Sequence, residues 1–484
     1  MRKRLAQALI TLSVLSLLTF AQPQSSRQGE PDWKRAGDEA VELLANFLRI
    51  DTTNPPGNEQ RAADFFARIL EKEGIEHKVF QSAPGRATLY ARLRGSGRKR
   101  ALILLNHTDV VHADRQFWTA DPFSGAIRNG YLFGRGALDM KSLGAAQFMT
   151  LLLLKRGGVA LDRDVIFLAT ADEEAGGREG AGWFVRNHAE LVRDAEFLIN
   201  EGSSNLVVGD RAIFYGIGAT EKTPCWLRLT AKGIPGHGSV PRKNSAPSRL
   251  LRALGKLEAY ETEPKATPAV ARYFRSLADL QPTPELMRAY ADVGAALKDR
   301  RLRDLLLSIP QNAALLRNTI QPTVVNIGNK TNVIPPIATA EIDCRLLPGE
   351  RPEDFISEIK RVIDDPTIEV EPLLAFAATE SPLDTDLHKS ILAVIRSDDP
   401  QARFSTTVLS GFTDSHFFRD LGITCYGFSP FLIPGEDYVG VHGNDERIPV
   451  ESFRNGTRLL YRIVRHLCYA QPGEGNQGQG GRIR

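Results

Sequence analysis

Five short stretches of the chain put metal-binding and proton-carrying side chains at expected strand ends or in loops. "LILLNHTDVV" delivers His107 and Asp109 with one residue between them, so both project from the same face near the end of a strand. That pairing reads as an imidazole ligand whose second ring nitrogen is held by the neighbouring carboxylate, though alone it equally fits a surface-loop histidine. In "GYLFGRGALDMKSLGAAQ", Asp139 stands just before a helix, where an N-cap and a ligand are both compatible. "DVIFLATADEEAGG" runs as a strand and halts on Asp172, Glu173 and Glu174. Neighbouring carboxylates repel, and solubility alone could be had by scattering them or pairing each with Lys or Arg, so this placement asks for a cation. Glu201 in "FLINEGSSN" follows directly on another strand, and "DYVGVHGNDERIP" sets His442 in a glycine-bracketed loop before the last helix. A lone histidine there also suits a structural role.

Together, two histidines and several carboxylates on one rim suit two divalent ions such as zinc, each holding one imidazole and one carboxylate with a third carboxylate bridging. A co-catalytic pair of this kind lowers the pKa of a shared water and clamps both oxygens in a hydrolytic transition state, and that water needs a base beside it. Cys225, Cys344, Cys425 and Cys468 are far apart and form no CxxC, so neither a thiolate zinc site nor a disulfide scaffold is expected; a single disulfide stays open.

The elements that must position these residues alternate. "ATLYARLRG", "RALILLNHTD", "DVIFLATAD" and "AEFLINEG" are short β-rich runs, while "MKSLGAAQFMTLLLLKRG" and "REGAGWFVRNHAELV" between them have helical spacing. That rhythm predicts an α/β fold with a helix-covered, mostly parallel sheet, whose ligands sit beyond the carboxyl ends of the strands. From Thr223 the texture changes to strands with one covered face, such as "CWLRLTAKG", mixed with helices as far as Thr379 and interrupted by a Leu- and Arg-rich helical stretch from Pro268 to Asn318. From residue 380 the first rhythm returns. The expected plan is a catalytic domain in two parts, 32–222 and 380–470, with an α+β domain, 223–379, inserted into it, and a disordered Gly/Gln-rich tail, 471–484.

With 484 residues, 42% hydrophobic and 25% charged, the chain has an ordinary globular composition. Lys and Arg number 61 against 58 Asp and Glu, and the excess equals Arg2, Lys3 and Arg4 at the start. With no basic run and no nucleic-acid motif, a nucleic-acid partner is not expected. Residues 1–21, with a basic start, an apolar stretch and a small residue at Ala21, read as a signal peptide, and predict a secreted or periplasmic protein with no stable membrane span after processing. An uncleaved anchor is the other reading.

The motifs "NHTDVV", "WTADPFSG", "GYLFGRGALDMK", "ATADEEAGG" and "HGNDE", in that order, resemble the zinc-dependent aminoacylase and carboxypeptidase family, which includes acetylornithine deacetylase, succinyl-diaminopimelate desuccinylase, carboxypeptidases of the G and S types and N-acyl-amino-acid hydrolases. The resemblance spans residues 35 to 468 and implies the zinc exopeptidase fold with an inserted dimerisation or lid domain. It implies His107, Asp139 and Glu201 on one zinc, Asp139, Glu174 and His442 on the other, with Co2+ or Mn2+ as substitutes. Glu173 becomes the general base and Asp109 the residue that orients His107. His237 in "GIPGHGSVP" matches a histidine that reaches the partner subunit's site in a homodimer and stabilises the oxyanion. Asn332, Arg345, Gly411 and Thr413 match substrate-side positions, where a guanidinium suits a carboxylate; Arg345 also fits a strand surface.

The expectation is a metallohydrolase that cleaves an amide bond next to a free carboxylate, as a carboxypeptidase or N-acyl-amino-acid hydrolase. An aminopeptidase or dipeptidase is the rival enzyme and needs an acidic group for a free amine. A non-catalytic metal-binding module is the rival from another class, and has no use for an unliganded Glu173.

Overall fold

A computed structural model describes residues 30–209 and 211–469. The expected signal segment and the expected tail lie outside the described residues. No helix among the described residues is long and apolar enough to cross a membrane.

The main sheet has nine strands. Across it run Glu76–Ala83, Arg86–Leu93, Val165–Thr170, Ala101–His107, Ala195–Asn200, Thr424–Gly427, Arg211–Glu221 and Phe404–Leu409, with Leu206–Val208 beside Arg211–Glu221. Its centre is parallel: Ala101–His107 pairs in parallel with Val165–Thr170 on one side and Ala195–Asn200 on the other, and the latter pairs in parallel with Thr424–Gly427. Antiparallel strands complete one edge, from Val165–Thr170 through Arg86–Leu93 to Glu76–Ala83. The three central strands Ala101–His107, Val165–Thr170 and Ala195–Asn200 are buried almost throughout, as continuous apolar runs covered on both faces should be.

Helix Lys141–Arg156 is apolar nearly all round and buried from Lys141 to Leu154. Its one internal cation is held: Lys141 Nζ donates to Ile50 O at 2.7 Å and lies over the Phe47 ring, against the end of helix Trp33–Leu48. Burial pushes the Lys141 ammonium down to about 7.

The strand Arg211–Glu221 leads into Thr223–Lys232 of a second sheet, ordered Thr319–Asn326, Ile337–Leu346, Thr223–Lys232, Ile368–Ala375 and antiparallel throughout. Helices Ala246–Glu258 and Pro352–Ile363 cover one face of this sheet around Leu227, Leu229, Ile342 and Ile359, which makes it an inserted α+β unit with its own core. At the crossing, Glu221 and Lys222 are buried: Glu221 accepts from Arg419 Nη1 at 2.7 Å, and Lys222 Nζ donates to Ala314 O and Arg317 O, both at 2.7 Å.

The helical stretch expected to interrupt the inserted domain is present, as five short helices between Pro268 and Leu316. In space it packs elsewhere. Val270, Phe274, Leu306 and Leu316 share a core with Phe214 and Val408 of the main sheet, so the amphipathic helices cover that sheet's last edge and not the inserted sheet. All four cysteines are free and buried.

Candidate metal centre

The chain enters the middle of the main sheet at Ala101–His107, then adds Val165–Thr170 to one side and Ala195–Asn200 to the other. Such a reversal opens a crevice beyond the carboxyl ends of the strands. His107 is the last residue of its strand, Glu173 and Glu174 form the turn after Val165–Thr170, and Glu201 follows Asn200. Asp139 comes from the loop before helix Lys141–Arg156, and His442 from the loop after Gly435–Gly440.

Asp139 lies between the two imidazoles and offers one oxygen to each. His107 Nε2 is 3.2 Å from Asp139 Oδ1 and 3.4 Å from Glu201 Oε1, while His442 Nε2 is 3.2 Å from Asp139 Oδ2 and 3.1 Å from Glu174 Oε2. Donor atoms around a tetrahedral ion with bonds of about 2.0–2.1 Å stand about 3.3–3.4 Å apart, so these spacings fit a pair of divalent ions sharing Asp139. The charge balance fits as well. Burial, together with Asp139, pushes Glu201 up to about 7, and burial raises Glu174 and, further, Glu173. In the chain alone it is imidazole protons that answer these carboxylates: His442 is raised to about 10 by Asp139 and Glu174, and His107 stays well above its usual value despite burial. Cations held at the same place would take over that task.

Each loop is fixed from behind. The Asp139 loop is anchored by Glu446, which accepts from the backbone N–H groups of Gly136, Leu138 and Asp139 and pairs with Arg135 Nη1 at 2.8 Å. Asp139 does not cap the helix that follows it: Met140 holds the N-cap position and no side chain caps there. Asp109 does more than expected. His107 Nδ1 is 3.0 Å from the Asp109 backbone oxygen and 3.4 Å from Oδ1, while the Asp109 carboxylate accepts from the N–H groups of Glu173 and Glu174, both at 3.1 Å. One residue therefore holds both, the first imidazole chiefly through its backbone oxygen and the glutamate turn through its carboxylate.

Asp172 belongs to a second layer that the sequence did not reveal. Its backbone is left-handed at φ 68°, and its carboxylate accepts from Glu179 N at 2.9 Å and Asn54 Nδ2 at 3.2 Å and pairs with Arg86 at 3.0 Å. Asn54 also donates to Asp109 Oδ2 at 2.8 Å, and Arg86 reaches Asn54 Oδ1 and Glu59, both at 2.7 Å. Burial and Asp109 push Glu59 up to about 7. The turn-rich "TTNPPGN" stretch, which sequence spacing reads only as a helix stop, thus braces the glutamate turn.

Glu173 is buried, and its oxygen lies within 4.8 Å of ligand atoms of His107 and Glu201. It faces Glu201, Glu174 and Asp414 and forms no ion pair with either imidazole. Close approach of backbone helps set Glu201. A Cβ on Gly216 or Gly218 would lie 2.2 Å from Ser204 O or 2.5 Å from Gly202 O, so only glycine lets the 201–204 segment cross that strand.

A cavity of about 1080 Å3 opens over the cluster, and Arg345, Gly411 and Thr413 line it with Glu173. Arg345 packs against the Trp226 and Phe412 rings, which meet each other edge to face; its Nε and Nη2 donate to Asp343 at 2.6 and 3.0 Å, and its buried Nη1 has no hydrogen-bond partner among the described residues. Thr413 donates its N–H and hydroxyl to Glu221. His237 and Asn332 are not brought to the cluster within one chain. His237 lies on a two-stranded ribbon of the inserted unit, where it pairs with Val333 and is exposed, and Asn332 sits in the turn just before that ribbon's second strand, its backbone oxygen accepting from Gly238 N.

A family model described as Peptidase family M20/M25/M40 matches residues 103–466. The chain is 28% identical to a probable carboxypeptidase S-like 2 of Dictyostelium discoideum, over 76% of this chain and 72% of that protein. It is 28% identical to the N-fatty-acyl-amino acid synthase/hydrolase PM20D1 of Xenopus tropicalis, over 94% and 93%. Among solved structures, the M20 family metallo-carboxypeptidase Sso-CP2 of Sulfolobus solfataricus superimposes with a TM-score of 0.70 at 18% identity, over 89% of this chain and 99% of that one. Human carnosine dipeptidase 1 gives 0.68 at 16%, over 90% and 97%.

Proposed function

The chain belongs to peptidase family M20/M25/M40, as a hydrolase acting on amide bonds, and from that premise we propose that it is a dizinc enzyme cleaving an amide next to a free carboxylate, as a carboxypeptidase or N-acyl-amino-acid hydrolase. The observation that supports this best is Asp139, whose Oδ1 faces His107, itself beside Glu201, and whose Oδ2 faces His442, itself beside Glu174. When bound, the metal pair supplies Lewis acidity, which lowers the pKa of a water and polarises the scissile carbonyl.

The chain's own residues do the rest. Glu173, held by its backbone N–H on Asp109 and raised by burial among carboxylates, takes the proton from the attacking water and delivers it to the leaving nitrogen. Arg345 lines the cavity and supplies a guanidinium charge for the substrate carboxylate, with Nε and Nη2 kept in place by Asp343 and the group packed against two aromatic rings. A free substrate amine would need an acid there instead.

Arg345→Met tests that arm. A hydrogen bond to a charged group contributes about 1.5–3 kcal/mol, so the preference for N-acetyl-phenylalanine over its amide, measured as a ratio of kcat/KM, should shrink about 10–150-fold. A ratio that does not move assigns the carboxylate elsewhere.

The same reading includes a homodimer through the inserted unit. Ile234, Val240 and Val333 stand 68%, 59% and 45% exposed around the His237 ribbon, an apolar surface that a second copy would cover. A monomeric mass in light scattering at micromolar concentration would count against it.

A further inference from the structure

The two imidazoles of the cluster are held by different means. His107 ends a buried strand and its Nδ1 is fixed on Asp109, the arrangement usual for a ligating histidine, whose second ring nitrogen is tied to a carboxylate or a carbonyl. His442 has no such tie. Its side chain is 53% exposed, and its Nδ1 has no partner among the described residues. Its backbone is left-handed at φ 55°, a conformation that residues with a side chain rarely adopt. Something other than the ring's own hydrogen bonds must therefore keep Nε2 on Asp139 and Glu174.

We propose that Arg135 does this: it is a positioning residue for the second metal ion, acting through His442 and Asp139, an assignment that rests on the two-ion reading above. Arg135 follows strand Tyr131–Phe133 and is buried, with its guanidinium 5.1 Å from the Trp118 ring centroid. Nη2 donates to Gly443 O at 2.6 Å and His112 O at 3.3 Å, and Nη1 to Gly440 O at 3.5 Å, so carbonyls on both sides of His442 converge on one planar group. The turn closes between them, where Gly443 N donates to Gly440 O at 2.9 Å. Close packing requires both glycines, since a Cβ on Gly443 would lie 2.2 Å from Val439 O and one on Gly440 2.9 Å from Glu446 Cα. Nη1 also pairs with Glu446, which carries the Asp139 loop. One guanidinium thus sets the spacing of the loops that bring His442 and Asp139, and its hydrogen bonds reach neither of the strands that deliver His107 and Glu201.

The test is zinc binding by the metal-free full chain, measured by competition with a chromophoric chelator. Arg135→Lys keeps a cation beside Glu446, but an ammonium has no planar fork to span Glu446, Gly443 and His112. It should weaken one zinc about 10–100-fold, as loss of a group behind a ligand does, and leave the other unchanged. In a His442→Ala background, which already lacks the second ion's imidazole, Arg135→Lys should add little, because both changes act on one ligand. Two unchanged affinities, two equally weakened ones or a full effect in the His442→Ala background overturn the assignment. A lower melting temperature of the metal-free protein with both affinities intact makes Arg135 structural alone and overturns it as well. Should Arg135→Lys not fold, Arg135→Met combined with Glu446→Gln, which removes both buried charges together, makes the same comparison. If the wild type binds a single zinc, the two-ion reading fails, and the metal-free crystal structure of the variant decides the role of Arg135 separately. His442 turned away from Asp139 and Glu174 supports it; His442 still in place overturns it.

Discussion

Glu173→Gln is expected to lower kcat on an N-acyl amino acid by about 10²–10⁴ while the protein stays folded and keeps both metal ions. Gln preserves the shape and the Glu173 N–H to Asp109 hydrogen bond, which is a backbone contact at 3.1 Å, but it cannot accept a proton. The wild-type carboxylate is suited to the role because burial and the neighbouring charges of Glu201, Glu174 and Asp414 raise its proton affinity, partly offset by His107. An acid limb in the wild-type kcat profile should therefore vanish in the variant. Metal analysis separates the alternatives. Its oxygen lies within 4.8 Å of donor atoms on His107 and Glu201, so loss of an ion together with activity would make Glu173 a ligand and not the base.

Asp139→Asn should have the other large effect, on the metals themselves. Asp139 faces both imidazoles, which hold its carboxyl well below the usual range against the cost of burial. Asn keeps one oxygen and replaces the other with an amide nitrogen that has no lone pair to give. The metal content, measured by atomic emission after exhaustive dialysis, should drop from two ions to one or none, and affinity should fall by more than the 10–100-fold typical of residues behind a ligand. The loop itself should survive, because Glu446 holds the N–H groups of Gly136, Leu138 and Asp139 independently of the Asp139 side chain. A variant that retains two ions would remove Asp139 from the bridging role.

The carboxylates of this cluster are legible in the sequence for a physical reason, since adjacent carboxylates at the end of an apolar run repel unless something binds there. His442 in its glycine-bracketed loop, by contrast, gains meaning only from the order of the motifs. The main sheet is legible on similar grounds, since its central strands are continuous apolar runs separated by helical spacing. What braces the cluster is not. Asn54, Glu59 and Arg86 are ordinary polar residues in a turn, a helix start and a strand, and their bonds to Asp109 and Asp172 join segments far apart in the chain. The edge strand Glu76–Ala83 is largely exposed and shows no clean alternation, and Arg211–Glu221 is broken up by Gly216 and Gly218, whose reason is the segment crossing them. The helices from Pro268 to Leu316 are amphipathic in sequence, but amphipathicity does not say which sheet they cover. Chain order puts them with the inserted unit, while Phe274 and Leu316 pack with Phe214 and Val408.

The account depends most on two ions sharing Asp139, and anomalous diffraction at the zinc edge from crystals of the zinc-loaded protein tests that directly. Two peaks are predicted, one between His107 and Glu201 and the other between His442 and Glu174, both within bonding reach of Asp139. A single peak, or a second peak away from His442 and Glu174, would contradict it.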